Sequence, residues 1–293
     1  MLNDIFNFGD KMSRMSRLNT QYHRKTLIAS DASHPLIQQA LSMLDDVEQA
    51  MTDLVEGKIS IEMYINKITP YDEFMWKHAK SKPQKSNPIN TLQNKKYSTW
   101  REQKWAPIWE LIRLKISKIW KTDKLVVIQN MKVVESIYSS GHVKYKDVDG
   151  GIAFEFTLNG KKVFFPIIAV EDKGGHACST CFDGVSAMSL RLHRTFPNAW
   201  HVFVTDNNIS VGVEKESEIY SDIDLIISER GTNKKNEAYP KLKYQRFQDV
   251  KDGMISKLSS VDMKDFFTYN SITSKKSGSF RSEIDSTGIM WNR

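Results

Sequence analysis

Val143 to Asn207 reads VKYKDVDGGIAFEFTLNGKKVFFPIIAVEDKGGHACSTCFDGVSAMSLRLHRTFPNAWHVFVTDN, and its pattern predicts strand, strand, strand, helix, strand. Ile152–Leu158 and Lys161–Val170 are rich in Ile, Val and Phe. The two residues between them are Asn159-Gly160, a strong signal for a tight hairpin. In a strict two-residue hairpin Glu171 faces Val148 and Lys173 faces Lys146, which leaves Asp147 and Asp149 on the other face. A one-residue bulge reverses this: Asp149 then lies across from Glu171, and Asp147 across from Lys173. Pro166, which cannot donate to the ladder, and Gly150-Gly151, which interrupt the strand, make such a bulge plausible. Further on, Val185, Met188, Leu192 and Phe196 recur at helical spacing over Asp183–Phe196, with Pro197-Asn198 as the stop. Trp200–Thr205 reads as a buried strand.

A patch with two or three carboxylates and a lysine suits metal-assisted phosphodiester hydrolysis. Mg2+ keeps several waters and takes one or two carboxylates plus phosphate oxygens, so Asp149, Glu171 and the carbonyl of Asp172 make an adequate ligand set. Lys173 then stands near the attacking water, where a cation helps orient or deprotonate it and offsets charge on the phosphorane. The plainer reading of the same residues is a hairpin end that is charged because it meets water.

An acidic residue, a hairpin, an E-x-K triplet, a helix and a strand, in that order over about 65 residues, resemble the PD-(D/E)XK nuclease superfamily. The resemblance implies an α/β (α+β) fold: a mixed central sheet flanked by helices, here with a helical N-terminal region. It places the family's first acid on Asp149, although Val148 stands where the family often has Pro, and its (D/E)XK on Glu171, Asp172 and Lys173. Asp147 remains an alternative first ligand. The family also implies an accessory acid from the helix before the sheet, which points to Glu135. Size, a helical front half and the EDKGG ending are similar to subunits of BbvCI-like heterodimeric restriction endonucleases. The resemblance therefore implies a type II restriction enzyme cutting double-stranded DNA with Mg2+. It would act as a homodimer, or as a heterodimer with a second nuclease subunit. A DNA-repair or junction nuclease of the same fold is the rival enzyme, and a catalytically silent DNA-binding module is the rival from another class.

The 293 residues, 40% hydrophobic and 26% charged, are those of a globular chain with a sizeable core. No apolar run approaches the roughly 20 residues needed to span a bilayer, and the N-terminus lacks a hydrophobic signal core, so a cytoplasmic location with no membrane partner is expected. Two cysteines make no disulfide framework. The net charge of +7 hides an asymmetry: Lys77–Lys146 carries sixteen Lys or Arg against four Asp or Glu. Such an excess favours a polyanion, because each neutralised phosphate releases counterions.

Taken in order, residues 1–98 read as a helical N-terminal region and linker, 99–270 as the nuclease core and 271–293 as a loosely held tail. Leu36, Ala40, Met43, Leu44, Val47, Met51, Leu54 and Val55 form one stripe of a helix beginning at Pro35 and stopped by Gly57. A second helix is capped by Ser60 and ends at Pro70. Trp100, Trp105, Trp109 and Trp120 lie at helical spacing and read as core rather than as base-stacking platforms. Leu125–Tyr138 reads as the helix before the sheet. His176, Cys178 and Cys181 lack the second ligand pair a structural zinc site needs, and His176 is instead a candidate phosphate contact. Two further strands, ISVGVE and IDLIISE, precede a basic loop whose Arg230, Thr232, Asn233, Lys234, Lys235 and Asn236 are candidate DNA-binding residues. Phe247–Leu258 and Met263–Tyr269 read as closing helices.

Overall fold

The hairpin expected from Asn159-Gly160 forms the centre of a sheet, and the rest of the chain divides around it. The computed structural model describes residues 23–29, 31–80, 87–89, 95–138, 143–158, 161–173, 179–205, 222–230, 239, 241–269, 271–274, 282–284 and 289–290. The chain forms two compact units, Met1–Leu111 with Glu229–Lys251 and Ile112–Ser228 with Asp252–Arg293. The boundary expected after residue 98 does not coincide with this division.

The first unit is helical. Helix α1 (Pro35–Val55) opens with Pro35 in the first turn, where no N–H is needed, and the His34 ring accepts from the Leu36 N–H. It buries Ile37, Ala40, Leu44, Val47, Met51 and Leu54, and Gly57 beyond its end takes the left-handed φ of +74° that suits glycine. Helix α2 (Ile61–Lys80) begins as expected, with the Ser60 Oγ accepting from the Met63 N–H at 3.2 Å. It does not stop at Pro70. Tyr71, Asp72, Met75 and Ala79 beyond the proline are all buried, and their packing outweighs the hydrogen bond that proline cannot make. Helix α3 (Lys95–Lys104) and the start of α4 (Ala106–Ile119) carry tryptophans that pack inward. Trp100 meets Tyr71 edge-on at 4.8 Å between ring centroids, and Trp105 stacks on Phe247 at 4.0 Å.

Among these rings lies a fully buried set of charges. Asp72 takes the Arg230 guanidinium at 2.5 Å, the Tyr239 hydroxyl at 2.6 Å, the Trp100 indole N–H at 2.8 Å and Lys104 at 3.5 Å. Lys104 also pairs with Glu229 at 2.5 Å, and the Trp105 indole donates to Glu229. Burial alone would raise the Asp72 carboxyl, but Lys104 and Arg230 outweigh it and hold it well below the usual carboxylate range. This corrects the assignment of Arg230 to a DNA-reading loop, because its side chain is buried in an ion pair. Thr232, Asn233, Lys234, Lys235 and Asn236 lie outside the described residues.

The second unit is a mixed α/β unit built on strands β1 (Leu125–Tyr138), β2 (Val143–Leu158), β3 (Lys161–Lys173), β4 (Trp200–Thr205) and β5 (Leu225–Ser228). The short β6 (Thr268–Tyr269), β7 (Ser271–Ser274), β8 (Ser282–Ile284) and β9 (Ile289–Met290) come last. The sheet order is β5-β4-β3-β2-β1-β7-β8. Pairs β1–β2 and β2–β3 are antiparallel, whereas β3–β4 and β4–β5 are parallel. The connection between the parallel β3 and β4 carries helix α5 (Ser179–Thr195), which packs Phe182 and Val185 against Phe203. Helix α6 (Tyr244–Ser259) follows β5, and Met263–Phe267 form a 3-10 turn rather than the longer helix expected there. The segment ISVGVE lies outside the described residues.

Two expected elements change. Leu125–Tyr138 is the strand β1, not a helix: its β-branched Val126, Val127, Ile128, Val133, Val134 and Ile137 suit a pleated surface, and eleven of its residues pair with β2. Val143–Leu158 is one strand, not two. Gly150-Gly151 do not interrupt it, because Gly151 adopts φ +131° and lies so close to β3 that a Cβ there would sit 1.9 Å from the Ile168 carbonyl oxygen.

Candidate active site at the parting of two strands

The expected bulge is present. Leu158 pairs with Lys161, as a two-residue connection requires, and the register holds to Ala153↔Pro166. It then shifts by one to Ile152↔Ile168 and continues to Gly150↔Val170. Ile167, next to the proline, is the extra residue. One further step puts Asp149 opposite Glu171, the arrangement derived for the bulged hairpin.

Here the main-chain ladder gives way to side chains. The Asp172 N–H donates to the Asp149 Oδ2 at 2.7 Å. The Lys173 Nζ lies 2.8 Å from the Glu171 Oε2 and 3.8 Å from the Asp149 Oδ2. Lys146 approaches the other oxygen of Glu171, at 3.5 Å. Glu171 is buried, while the Lys173 side chain keeps 45% of its surface, so the ammonium can turn outward without unfolding anything. On the other flank of β2, Asn130 falls in register between Gln129↔Gly150 and Met131↔Val148 and takes a left-handed φ of +47°. A non-glycine residue in that conformation beside Asp149 is a local strain of the kind found at functional sites.

These positions sort the expected residues. Asp149, Glu171 and Lys173 come together. The side chain of Asp172, in register with Val204, alternates to the face opposite Glu171 and Lys173, which leaves its carbonyl as the group able to join them. Asp147 is exposed and pairs with Lys132 across the β1–β2 ladder. Glu135 lies on a strand rather than a helix, and its carboxylate is occupied by Arg191 Nε at 2.8 Å and Lys144 Nζ at 2.7 Å. Burial would raise that carboxyl, but the two cations together lower it. His176 and Cys178 lie outside the described residues. Sequence reasoning missed three groups: Lys146, whose spacing before Asp149 has no motif value; Arg191, an ordinary polar helix position; and His201.

His201 stands on β4 beside Ala169 and is fully buried, with neither ring nitrogen hydrogen-bonded. Burial pushes its imidazole down to about 4, against a smaller upward pull from Glu171 and Asp224. It is a neutral ring behind the acid pair. His193 on α5 is the opposite case, raised chiefly by its hydrogen bond with Asp224 at 2.9 Å.

Among the described residues no three His, Cys, Asp or Glu side chains form a metal-holding group. Asp149 and Glu171 do share one cation, the Lys173 ammonium, which stands within 4 Å of both. Two carboxylates around a single positive charge, with a carbonyl nearby, fit a hard ion that retains most of its waters and do not fit a closed zinc site. No helix among the described residues is long and apolar enough to cross a membrane. Comparison with protein-family models and with curated proteins finds no match.

Proposed function

We propose that this protein is a Mg2+-dependent endonuclease of the PD-(D/E)XK type that hydrolyses phosphodiester bonds of double-stranded DNA, with type II restriction as its setting. The observation that carries the reading is the bulge at Ile167, which aligns Asp149 with Glu171 and sets Lys173 between them. Asp149 and Glu171 would hold the metal, with the carbonyl of Asp172 as the third ligand of the set. A metal ion held there would supply Lewis acidity toward a phosphate oxygen and lower the pKa of a water.

The chain's own groups do the rest. The Asp172 N–H fixes one oxygen of Asp149, and Lys146 holds one oxygen of Glu171, so both carboxylates are oriented before substrate arrives. Lys173, on a flexible and half-exposed stem, supplies a cation that orients the attacking water and offsets negative charge on the phosphorane. One such site cuts one strand. A double-strand break therefore needs a second copy, or a second nuclease subunit.

Incubation of the purified protein with supercoiled plasmid, with Mg2+ and then with EDTA, tests the reading. Metal-dependent cutting into a discrete fragment ladder is expected. Smearing or junction-limited cutting would reassign the site to repair. Absence of metal-dependent cutting by the chain, alone and with any cognate subunit, would reduce it to a binding module.

A further inference from the structure

Two buried carboxylates in the second unit each hold two cations, and only one of them lies in the acid pair beside Lys173. Glu171 holds Lys146 and Lys173. Glu135, only 2% exposed, holds Arg191 through Oε1 and Lys144 through Oε2, and both of those side chains reach solvent, at 42% and 50% exposure. Neutralising a buried carboxylate takes one cation. The second leaves the Glu135 cluster with a surplus positive charge directed outward. Arg191 spends its Nε on Glu135, and among the described residues its two Nη nitrogens have no acceptor, so its outer fork is presented in a fixed plane. Lys144 lies two residues before Lys146 on β2, about 7 Å along the strand. The Glu135 cluster is thus continuous with the strand that leads to Asp149.

We propose that Arg191 and Lys144, held by Glu135, form a clamp for backbone phosphates of the nucleic acid, one step outside the cleavage site, and that Glu135 is its anchor rather than a metal ligand. The proposal rests on the nuclease reading for the identity of its ligand. An anchored clamp has a measurable signature, because positioning and bulk charge predict opposite effects for the same substitution. Glu135→Gln makes the surface more positive, so bulk attraction would tighten DNA binding. A clamp loses its anchor, and binding weakens.

The experiment measures affinity for a labelled DNA duplex in EDTA, where nothing is cut, over a range of salt. Arg191→Gln and Lys144→Gln each leave Glu135 with one partner, so the fold is kept. Each should reduce the magnitude of the log Kd against log salt slope by about 0.9, the loss of one phosphate contact. Glu135→Gln should weaken binding at every salt concentration. Unchanged slopes in both single variants, or tighter binding by Glu135→Gln, overturn the clamp. Because plasmid cleavage by the wild type is scored separately, a cleaving enzyme with unchanged slopes refutes the clamp alone, whereas a chain that neither cuts nor binds duplex refutes both. If polyglutamate competes as well as unlabelled duplex, the partner is acidic protein and the nucleic-acid assignment falls.

Discussion

Acidification should destabilise this protein through His201 in a way that one substitution removes. The ring is fully buried, neither nitrogen has a hydrogen-bond partner, and its pKa lies at about 4 rather than 6.5. Above about pH 6.5 the imidazole is neutral in both folded and unfolded chains and contributes no pH dependence. Between 6.5 and about 4 the unfolded chain binds a proton that the folded one refuses, so stability falls as pH falls and levels off below. At about 1.4 kcal/mol for each tenfold change in proton affinity, the loss across that window is about 3 kcal/mol. That is a large share of a typical domain's stability. His193, raised by Asp224, contributes with the opposite sign, so the assay must compare two proteins. Urea denaturation of the wild type and of His201→Leu at a series of pH values isolates the contribution of this ring. Asp224 keeps its bond to the main-chain N–H of residue 201 in both. The stability difference between the two should move by about 3 kcal/mol in favour of the leucine variant as pH falls from about 7 to about 4. A difference that stays flat would show that His201 has a polar partner or water access, and the picture of a neutral, dry ring behind Glu171 would fail.

Other substitutions separate fold from chemistry. Lys173→Glu should abolish plasmid cleavage while duplex binding persists, and a denaturation curve should move by no more than about 1 kcal/mol, because the side chain is half exposed and Glu171 retains Lys146. Wild-type cleavage by that variant would remove Lys173 from the mechanism. Gly151→Ala places a Cβ 1.9 Å from the Ile168 carbonyl at φ +131°, so it should cost about 3 kcal/mol or more in urea denaturation and take cleavage down with the register; an unchanged midpoint would contradict the close approach. Asp72→Asn leaves Arg230 buried with its counter-charge gone, while Lys104 keeps Glu229, and should cost about 3 to 5 kcal/mol by the same measurement. A loss under about 1 kcal/mol would mean that water reaches that cluster.

What could be read in advance was local in sequence. Asn159-Gly160 sets the phase of the hairpin, and Pro166 with Gly150-Gly151 marks where that phase must slip. The meeting of Asp149, Glu171 and Lys173 therefore followed from residues within 25 positions of one another. The misreadings each have a distant cause. Leu125–Tyr138 carries apolar residues that fit either period, and pairing with β2 decides for the strand. Pro70 is a helix stop in isolation, but the buried Tyr71, Asp72 and Met75 carry α2 onward. Arg230, placed before a run of Asn and Lys, reads as a surface donor; the carboxylate that buries it lies 158 residues earlier. Nothing near Arg191 announces a buried partner, since Glu135 reaches it only through the folded sheet, and nothing near His201 announces that its ring is buried.

The first unit is also discontinuous in the chain, which sets its timing during synthesis. Asp72 and Lys104 leave the ribosome long before Glu229 and Arg230. At about 5 to 20 residues per second, the 158 residues from Asp72 to Arg230 take roughly 8 to 30 s to make. Throughout that interval Asp72 on α2 and Lys104 on α3 lack Arg230 and Glu229, the closer of their charged partners, and burying them with only each other would cost several kcal/mol. The sheet unit, whose β1 to β4 end at Thr205, can pair those four strands before Glu229 and Arg230 are made. The order of maturation is then inverted with respect to the order of translation, and the N-terminal helices are the part a chaperone or protease meets open.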